Sequence, residues 1–221
     1  MATQNSINRA LSNITIDPGA SGDSFVQFDI NTTGEFRIGV DDDASDTFKI
    51  SQGSALGTND TFVMSPSGER TMPLQPTFGA YNTAIDTNVT GDGTLYTGRF
   101  NAEIWDIGSD FDTSTFTYTA PVTGKYYFGF NSYLFQVAAG HDRGTVSLVS
   151  SSNSIVICDD NSGVMRTSAT TEAVGNSVIF DLTAADTVHT TVQVSGSTKV
   201  VDFFGGSAGG SRSYFNCYLM G

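Results

Sequence analysis

The sequence has few basic residues and no long apolar run. Only 10 lysines and arginines stand against 23 aspartates and glutamates in 221 residues, which gives a formal net charge of −13. So acidic a chain repels phosphate backbones and anionic lipid surfaces, which excludes nucleic-acid binding as a function. Nothing approaches the run of about 18 apolar residues that a transmembrane helix requires, which excludes membrane insertion by a helix.

A secretory signal is also lacking. The opening stretch "MATQNSINRALSNITIDPGA" contains no apolar core of the required length. We therefore expect synthesis in a cytoplasm and, if the protein acts outside a cell, release without secretion. In such a reducing compartment the two cysteines, Cys158 and Cys217, are expected to be buried free thiols, although a disulfide between them stays open.

Helix-forming patterns are missing as well. Leucine, lysine and glutamate are scarce, whereas there are 24 glycines and the aromatic residues reach 11%. Such usage favours strands and tight turns over helices. No segment of useful length shows a helical period, so the sequence predicts an all-β protein.

The stretch "FTYTAPVTGKYYFGF", residues 116–130, predicts a strand, a turn and a second strand. Because side chains alternate along a strand, Tyr126, Phe128 and Phe130 share one face, and Tyr127 lies on the other. The first face is expected to fill a core. The second also carries an aromatic ring, so either it meets another surface or Tyr127 is simply half-exposed.

Composition divides the chain into three segments. Residues 1–23 are polar and aperiodic, and we expect an arm that anchors the protein to a partner. Residues 24–75 hold short alternating runs, "FVQFDI", "EFRIGV", "TFKI" and "TFVM", which are too few to bury a core and need either the rest of the chain or identical copies. Residues 76–221 show alternating strands at the spacing of a sandwich or jelly roll.

The region from Phe100 to Phe130 resembles the signature of the C1q/TNF-like jelly-roll superfamily, on the C1q side. Its core reads "YTAPVTGKYYFGF", with Tyr118 where the family has phenylalanine, and the first strand "PTFGAYN" and last strand "SYFNCYLMG" also fit. The resemblance covers about residues 76–221. It implies a ten-stranded jelly-roll sandwich that forms a compact homotrimer. The outward tyrosines would then lie at the trimer interface: Tyr127, Tyr133, Tyr214 and Tyr218.

The preceding segment carries a second resemblance. "FRIGVDDDASDTFKISQGSALGTNDTFVMSPSGER" is similar to repeat-like segments of the tail and side fibres of tailed bacteriophages. This resemblance covers residues 24–70 and implies a short-stranded shaft or collar made by three chains, whether or not they exchange strands. It also implies a location on a virion, because such fibres are made in a bacterial cytoplasm and released by lysis.

Catalytic chemistry finds little support. His141 lies in an expected loop and His189 in an expected strand, and neither has a nucleophile elbow or a metalloprotease motif beside it. Two carboxylates could serve a polysaccharide hydrolase, but phage depolymerases are usually long β-helices. We expect no enzyme and no cofactor. A calcium site stays open, since threefold symmetry could gather three copies of an acidic turn around one ion. The candidate ligands are Asp41, Asp42, Asp43, Asp46, Asp159 and Asp160.

Recognition is the leading hypothesis. Loops at 138–144, 158–163 and 205–212 join the expected strands, and binding residues concentrate on such loops. Their charged and ring-bearing side chains suit a host glycan or protein, and the candidate receptor contacts are His141, Asp142, Arg143, Asp159, Asp160 and Arg212. The sequence thus predicts a trimeric fibre or spike of a bacteriophage virion, joined to other virion proteins by its arm. A capsid head fibre or decoration protein is the alternative.

Overall fold

The computed structural model describes residues 15–19, 21–30, 34–152, 154–160, 170–206, 210 and 212–221. The chain forms two compact units that divide between Leu74 and Gln75. All regular structure in the described residues is β-strand, which confirms the predicted all-β fold. Within those same ranges, no helix has the length and apolarity needed to cross a membrane.

The N-terminal unit is one antiparallel sheet whose strands follow one another in chain order. The four short strands predicted from alternation are present, and a fifth, very short strand follows them. All pair within one chain. The strands are β1 (Ser24–Ile30), β2 (Gly34–Asp41), β3 (Thr47–Gln52), β4 (Asp60–Met64) and β5 (Arg70–Thr71).

A buried ion cluster stabilises one face of this sheet. Lys49 on β3 places its Nζ 2.8 Å from Asp41 Oδ2 and 3.1 Å from Asp60 Oδ2. Burial alone would lower the pKa of Lys49, but hydrogen bonds and the charges of both carboxylates raise it overall. Ser51 also donates to Asp60, and these contacts hold the pKa of Asp60 below its usual range despite burial. The cluster joins the end of β2 and the start of β4 to β3 between them.

The C-terminal unit contains two antiparallel sheets. Its strands are β6 (Thr77–Tyr81), β7 (Asp86–Thr90), β8 (Leu95–Thr97), β9 (Ala102–Ile107), β10 (Phe111–Asp112), β11 (Thr117–Thr119), β12 (Gly124–Val137), β13 (Arg143–Ser150), β14 (Ser154–Asp160), β15 (Thr170–Leu182), β16 (Thr187–Ser195), β17 (Val201–Phe203) and β18 (Tyr214–Leu219). The six-stranded sheet runs β10-β11-β16-β13-β14, with β8 paired to β16. The seven-stranded sheet runs β7-β17-β12-β18-β6-β9, with β15 paired to β12. This two-sheet sandwich confirms the predicted jelly-roll architecture.

Aromatic rings fill the space between these sheets. Tyr126, Phe128 and Phe130 are at most 1% exposed, which confirms the inward face predicted for the alternating strand. Phe78 stacks on Phe111 with ring centroids 4.5 Å apart, and Phe128 stacks on Phe215 at 5.8 Å. Aromatic pairs at such distances stabilise a core beyond the area they bury.

Two expectations about the strands need correction. Alternation along "TLYTGRFNAEIW", residues 94–105, predicts one strand, but the run divides into β8 and β9, which belong to different sheets. The two sheets also hold more strands than the ten expected, since they include two- and three-residue strands such as β10 and β11. Cys217 is free and buried as expected, whereas the side chain of Cys158 lies outside the described residues.

Candidate functional site

The side of the seven-stranded sheet that faces away from the core is the candidate assembly surface, and we call it the outer face. Strand alternation dictates it, because the inward residues of β12 leave Tyr127 and Tyr133 on the opposite side. Pairing with β18 places Tyr214 opposite Asn131 and Tyr218 opposite Tyr127. The outer face therefore carries all four tyrosines named from the sequence: Tyr127, Tyr133, Tyr214 and Tyr218.

Two of these tyrosines contact each other directly. The rings of Tyr127 and Tyr218 stack with centroids 5.0 Å apart and planes inclined by 27°. Tyr218 is nevertheless 46% exposed, and Ile179, which lies opposite Tyr127 on β15, is 53% exposed. A row of large apolar groups thus crosses three neighbouring strands and remains open to solvent.

A groove of about 340 Å³ lies beside this row. Its floor is low because Gly129 and Gly175 have no side chains, and its walls include the rings of Tyr127 and Tyr214. A Cβ at Gly129 would come within 2.8 Å of Asn216 Oδ1, so the glycine makes room for that amide. The groove gives the outer face a polar depression between aromatic ridges.

A second aromatic cluster lies farther along β12. Tyr133 makes edge contacts with Phe135 and Phe204, at centroid distances of 5.4 Å and 5.6 Å. The guanidinium of Arg212 lies 4.9 Å from the Tyr133 ring centroid and donates a 2.6 Å hydrogen bond to its hydroxyl oxygen. Hydrogen bonds from Thr171 and from Arg212 lower the pKa of Tyr133. Arg212, expected among receptor contacts, is therefore joined to an expected interface residue.

Two of the expected receptor-contact residues form an exposed ion pair. Arg143 begins β13 and donates from Nε and Nη2 to the two carboxylate oxygens of Asp159 at 2.9 Å and 2.8 Å. Their mutual hydrogen bonds raise the pKa of Arg143 and lower that of Asp159. The two side chains are 61% and 52% exposed. Nearby, Asp142 accepts a hydrogen bond from Ser195.

His141 does not occupy the exposed position expected of a contact residue. Its side chain is only 1% exposed. Nδ1 accepts a 2.9 Å hydrogen bond from the backbone N–H of Ala138, so the ring closes its own turn and faces inward. The strands also extend farther than expected, because Arg143 lies in β13 and both Asp159 and Asp160 lie in β14. The side chain of Asp160 is outside the described residues.

As far as their side chains are described, the acidic turns do not form a metal site within one chain. Asp41 is buried against Lys49, and Asp42 accepts from the backbone N–H of Gly22 at 3.3 Å. Across the ranges that the structure describes, no group of three or more His, Cys, Asp or Glu side chains could hold a metal ion. Calcium held between copies stays a prediction.

Several residues of the outer face were not anticipated from the sequence. Phe135 continues the alternation that places Tyr127 and Tyr133 on the outer face, so the period of two along β12 is the signal that predicts its position. Ile179 lies on β15, which pairs with β12, and Trp105, which is 46% exposed, lies on β9, which pairs with β6. No local sequence pattern indicates either pairing. Phe204 follows β17 and contacts the face from a connecting segment, which alternation cannot predict.

Comparisons with known proteins agree with this architecture. The family model described as the C1q domain matches residues 80–220. Among solved structures, the globular domain of zebrafish complement 1qA protein is 20% identical and covers 66% of this chain and 98% of its own, with a TM-score of 0.43.

Two further structures match an equal share of the chain. Eiger TNF from S. frugiperda is 13% identical, covering 66% of this chain and 94% of its own, with a TM-score of 0.46. Murine APRIL at pH 8.0 is 10% identical, covering 66% and 99%, with a TM-score of 0.41. A comparison with curated proteins found no match. The match to the family model spans most of the chain, and the protein belongs to the C1q domain family.

Proposed function

We propose that this protein forms a homotrimer through the outer face and acts as a fibre or spike of a bacteriophage virion whose C-terminal unit binds the host surface. C1q/TNF-like domains are generally binding or structural domains, and homologues form homotrimers. The proposal is carried by one observation, the band of exposed rings and aliphatic groups on a single sheet face.

Physical chemistry favours covering this band. Ile179, Tyr214 and Tyr218 are each about half exposed, at 53%, 45% and 46%. Fully burying one large apolar side chain contributes roughly 1.5–3 kcal/mol, so partial burial of several in each of three copies is a substantial driving force. The side chains on strand β12 that face this way carry one charge, Lys125, and it lies at the strand's beginning.

Attachment by a trimer suits weak individual contacts. The exposed Arg143–Asp159 pair offers a planar donor fork beside a carboxylate, a combination that hydrogen-bonds to sugar hydroxyls or to charged side chains. Three copies per trimer raise the overall affinity by orders of magnitude without any new contact. The similarity of residues 24–70 to phage-fibre segments supports placing the trimer on a particle.

Sedimentation of the full chain tests the assembly. Tyr127→Asp puts a charge into the centre of the outer face, and we expect it to lower the trimer fraction as the protein is diluted. Leu95→Asp is the matched control, since Leu95 is 63% exposed on the other sheet. A monomeric wild-type protein, or equal behaviour of the two variants, would contradict the proposed interface.

Antibody labelling of purified particles tests the location. Particles produced from the genome that encodes this chain should carry label on tail fibres or spikes, and added protein should compete with particle adsorption. Arg143→Ala should weaken that competition more than Arg70→Ala, which removes an exposed cation from the N-terminal unit. Label confined to the capsid shell would favour the decoration role instead.

A further inference from the structure

The N-terminal sheet has two chemically different faces. Register places Val26 opposite Ile38, Ile38 opposite Ile50, and Ile50 opposite Phe62, so one apolar residue from each of four strands forms a continuous row. Rows on either side extend it. We call this side the apolar face, and its members are Val26, Phe28, Phe36, Ile38, Val40, Phe48, Ile50, Phe62 and Met64.

Most charges of the strands are turned to the opposite side, the exception being Arg70 on β5, which the register places beside Met64 at the edge of the apolar face. Arg37, Asp41 and Lys49 alternate with the apolar residues and are 5–8% exposed. Arg37 lies over the ring of Phe25, with its guanidinium carbon 5.0 Å from the ring centroid, and Leu56 is buried at 7% exposure. The charges on this side are therefore largely paired within the unit, with Lys49 between Asp41 and Asp60 and Arg37 beside Glu35, although Arg37 Nη1 and Thr47 Oγ1 are buried without a hydrogen-bond partner.

The apolar face, in contrast, is open. Phe28 is 58% exposed, Phe36 45%, Val26 41% and Val40 37%, and the other members are only half-buried. A sheet one layer thick cannot cover its own apolar side and is stable only when another layer packs on it. This accumulation is not scattered surface hydrophobicity, because the residues are contiguous across four strands.

The chemistry of the face selects its occupant. On the four strands of this face the register adds only Ser24 and Gln52 as hydrogen-bonding side chains, both at its rim, so a polar ligand or a charged segment over its centre would lose hydration without compensation. A second flat apolar sheet is the natural cover, since sheets pack face to face about 10 Å apart. We infer that the apolar face packs against the same face of the other copies of this chain, so that three N-terminal sheets enclose a common core.

The size of the face explains why it needs the C-terminal unit. With strands about 4.8 Å apart and residues about 3.4 Å apart, four strands present roughly 300–400 Å². A stable free-standing interface needs about 800 Å² per partner, so these sheets would not associate alone. Only residues 72–76 separate β5 from β6. A short connection raises the effective concentration of the three sheets to the millimolar range once the C-terminal units assemble. The inference therefore rests on the proposed homotrimer.

Hydrogen exchange of the full chain tests the inference, combined with its mass in solution. The pair to compare is Phe28→Glu and Phe25→Glu, two changes on the same strand but on opposite faces. Phe25, 36% exposed, lies beside Arg37, where a carboxylate is accommodated. If the apolar face is covered by other copies, Phe28→Glu should leave the trimer mass unchanged but accelerate exchange across β2–β4 by tenfold or more, whereas Phe25→Glu should behave like the wild type.

Cross-linking gives a readout that does not depend on tolerance of a buried charge. Phe28→Cys treated with a short bis-maleimide should yield covalently joined chains, and Phe25→Cys should yield no more than the wild type with its native cysteines. If the wild type is trimeric but the Phe28 and Phe25 variants do not differ in cross-linking or in hydrogen exchange, this inference is wrong while the proposed trimer stands. A monomeric wild type would overturn the trimer and this inference together.

Discussion

The indole ring of Trp105 on β9 lies against Gly79, the residue directly opposite it on β6. A Cβ built on Gly79 would come within 2.5–2.7 Å of three ring carbons, and Nε1 donates a 3.2 Å hydrogen bond to Thr77 Oγ1. The ring thus covers a backbone segment that has no side chain of its own. Since Trp105 is the one tryptophan of the chain, its fluorescence reports this contact.

Gly79→Ala should destabilise the C-terminal unit by displacing the indole. Forcing a methyl group into a filled site typically costs about 1–3 kcal/mol. Thermal unfolding followed by Trp105 emission measures the loss, and the folded variant should already show a shifted emission maximum. Gly140→Ala is the control, because its Cβ would meet only the Ser197 side chain, at 3.2 Å. Equal unfolding temperatures for the two variants would contradict the tight contact.

Lys49→Met should destabilise the N-terminal sheet severely. The change leaves the carboxylates of Asp41 and Asp60 buried without their cation, and removing one partner of a buried pair costs about 3–5 kcal/mol. Amide exchange across β2–β4 should accelerate by roughly a hundredfold or more, since each tenfold corresponds to about 1.4 kcal/mol.

Lys125→Met provides the matched control for the buried pair. Its Nζ lies 2.8 Å from Asp181, the same distance as between Lys49 and Asp41, but these side chains are 61% and 73% exposed. Exposed pairs contribute about 0–1 kcal/mol. If exchange in the surrounding strands changes as much for Lys125→Met as for Lys49→Met, burial is not what gives the cluster its importance.

Acidification should destabilise the C-terminal unit through His189. Burial lowers the pKa of this half-buried ring below its ordinary value of 6.5. Between the folded and unfolded pKa values the unfolded chain binds more protons, so stability is complete above about pH 6.5 and falls as the pH drops through the folded pKa. His189→Gln should flatten the dependence of unfolding temperature on pH between about pH 8 and about pH 5. An unchanged slope would assign the dependence to other groups.

Local alternation predicted the strands well where one face fills a core. Tyr126, Phe128 and Phe130 point inward as expected because the period of two leaves no other way to bury three rings. The same logic failed for "TTEAVG" at the start of β15, whose residues look like a polar connection. They form strand because they pair with the long β12 from Thr170 to Leu182, and that pairing is a tertiary effect.

The expected receptor contacts also depend on strand pairing that the local sequence does not indicate. Arg143 and Asp159 are 16 positions apart, and only the β13–β14 register brings their side chains together. His141 is buried although its loop sequence suggests exposure, because its ring accepts a hydrogen bond from the backbone N–H of Ala138 and turns inward. Composition alone also conceals the two-faced N-terminal sheet, since burial of Lys49 depends on carboxylates from two neighbouring strands, Asp41 at the end of β2 and Asp60 at the start of β4.

The central place of β18 in the seven-stranded sheet constrains the order of folding. It hydrogen-bonds to β12 on one side and to β6 on the other, and Gln75 donates to the carbonyl of Leu219. β6, the first strand of this unit, therefore lacks its β18 neighbour until residue 219 has left the ribosome. One edge of β6 and one edge of β12 stay unpaired until β18 is synthesised, 83 residues after Asn131 for its partner Tyr214 and longer for β6. Such long-range pairing forms slowly and exposes the unpaired edges of the nascent chain to neighbouring chains on the same message.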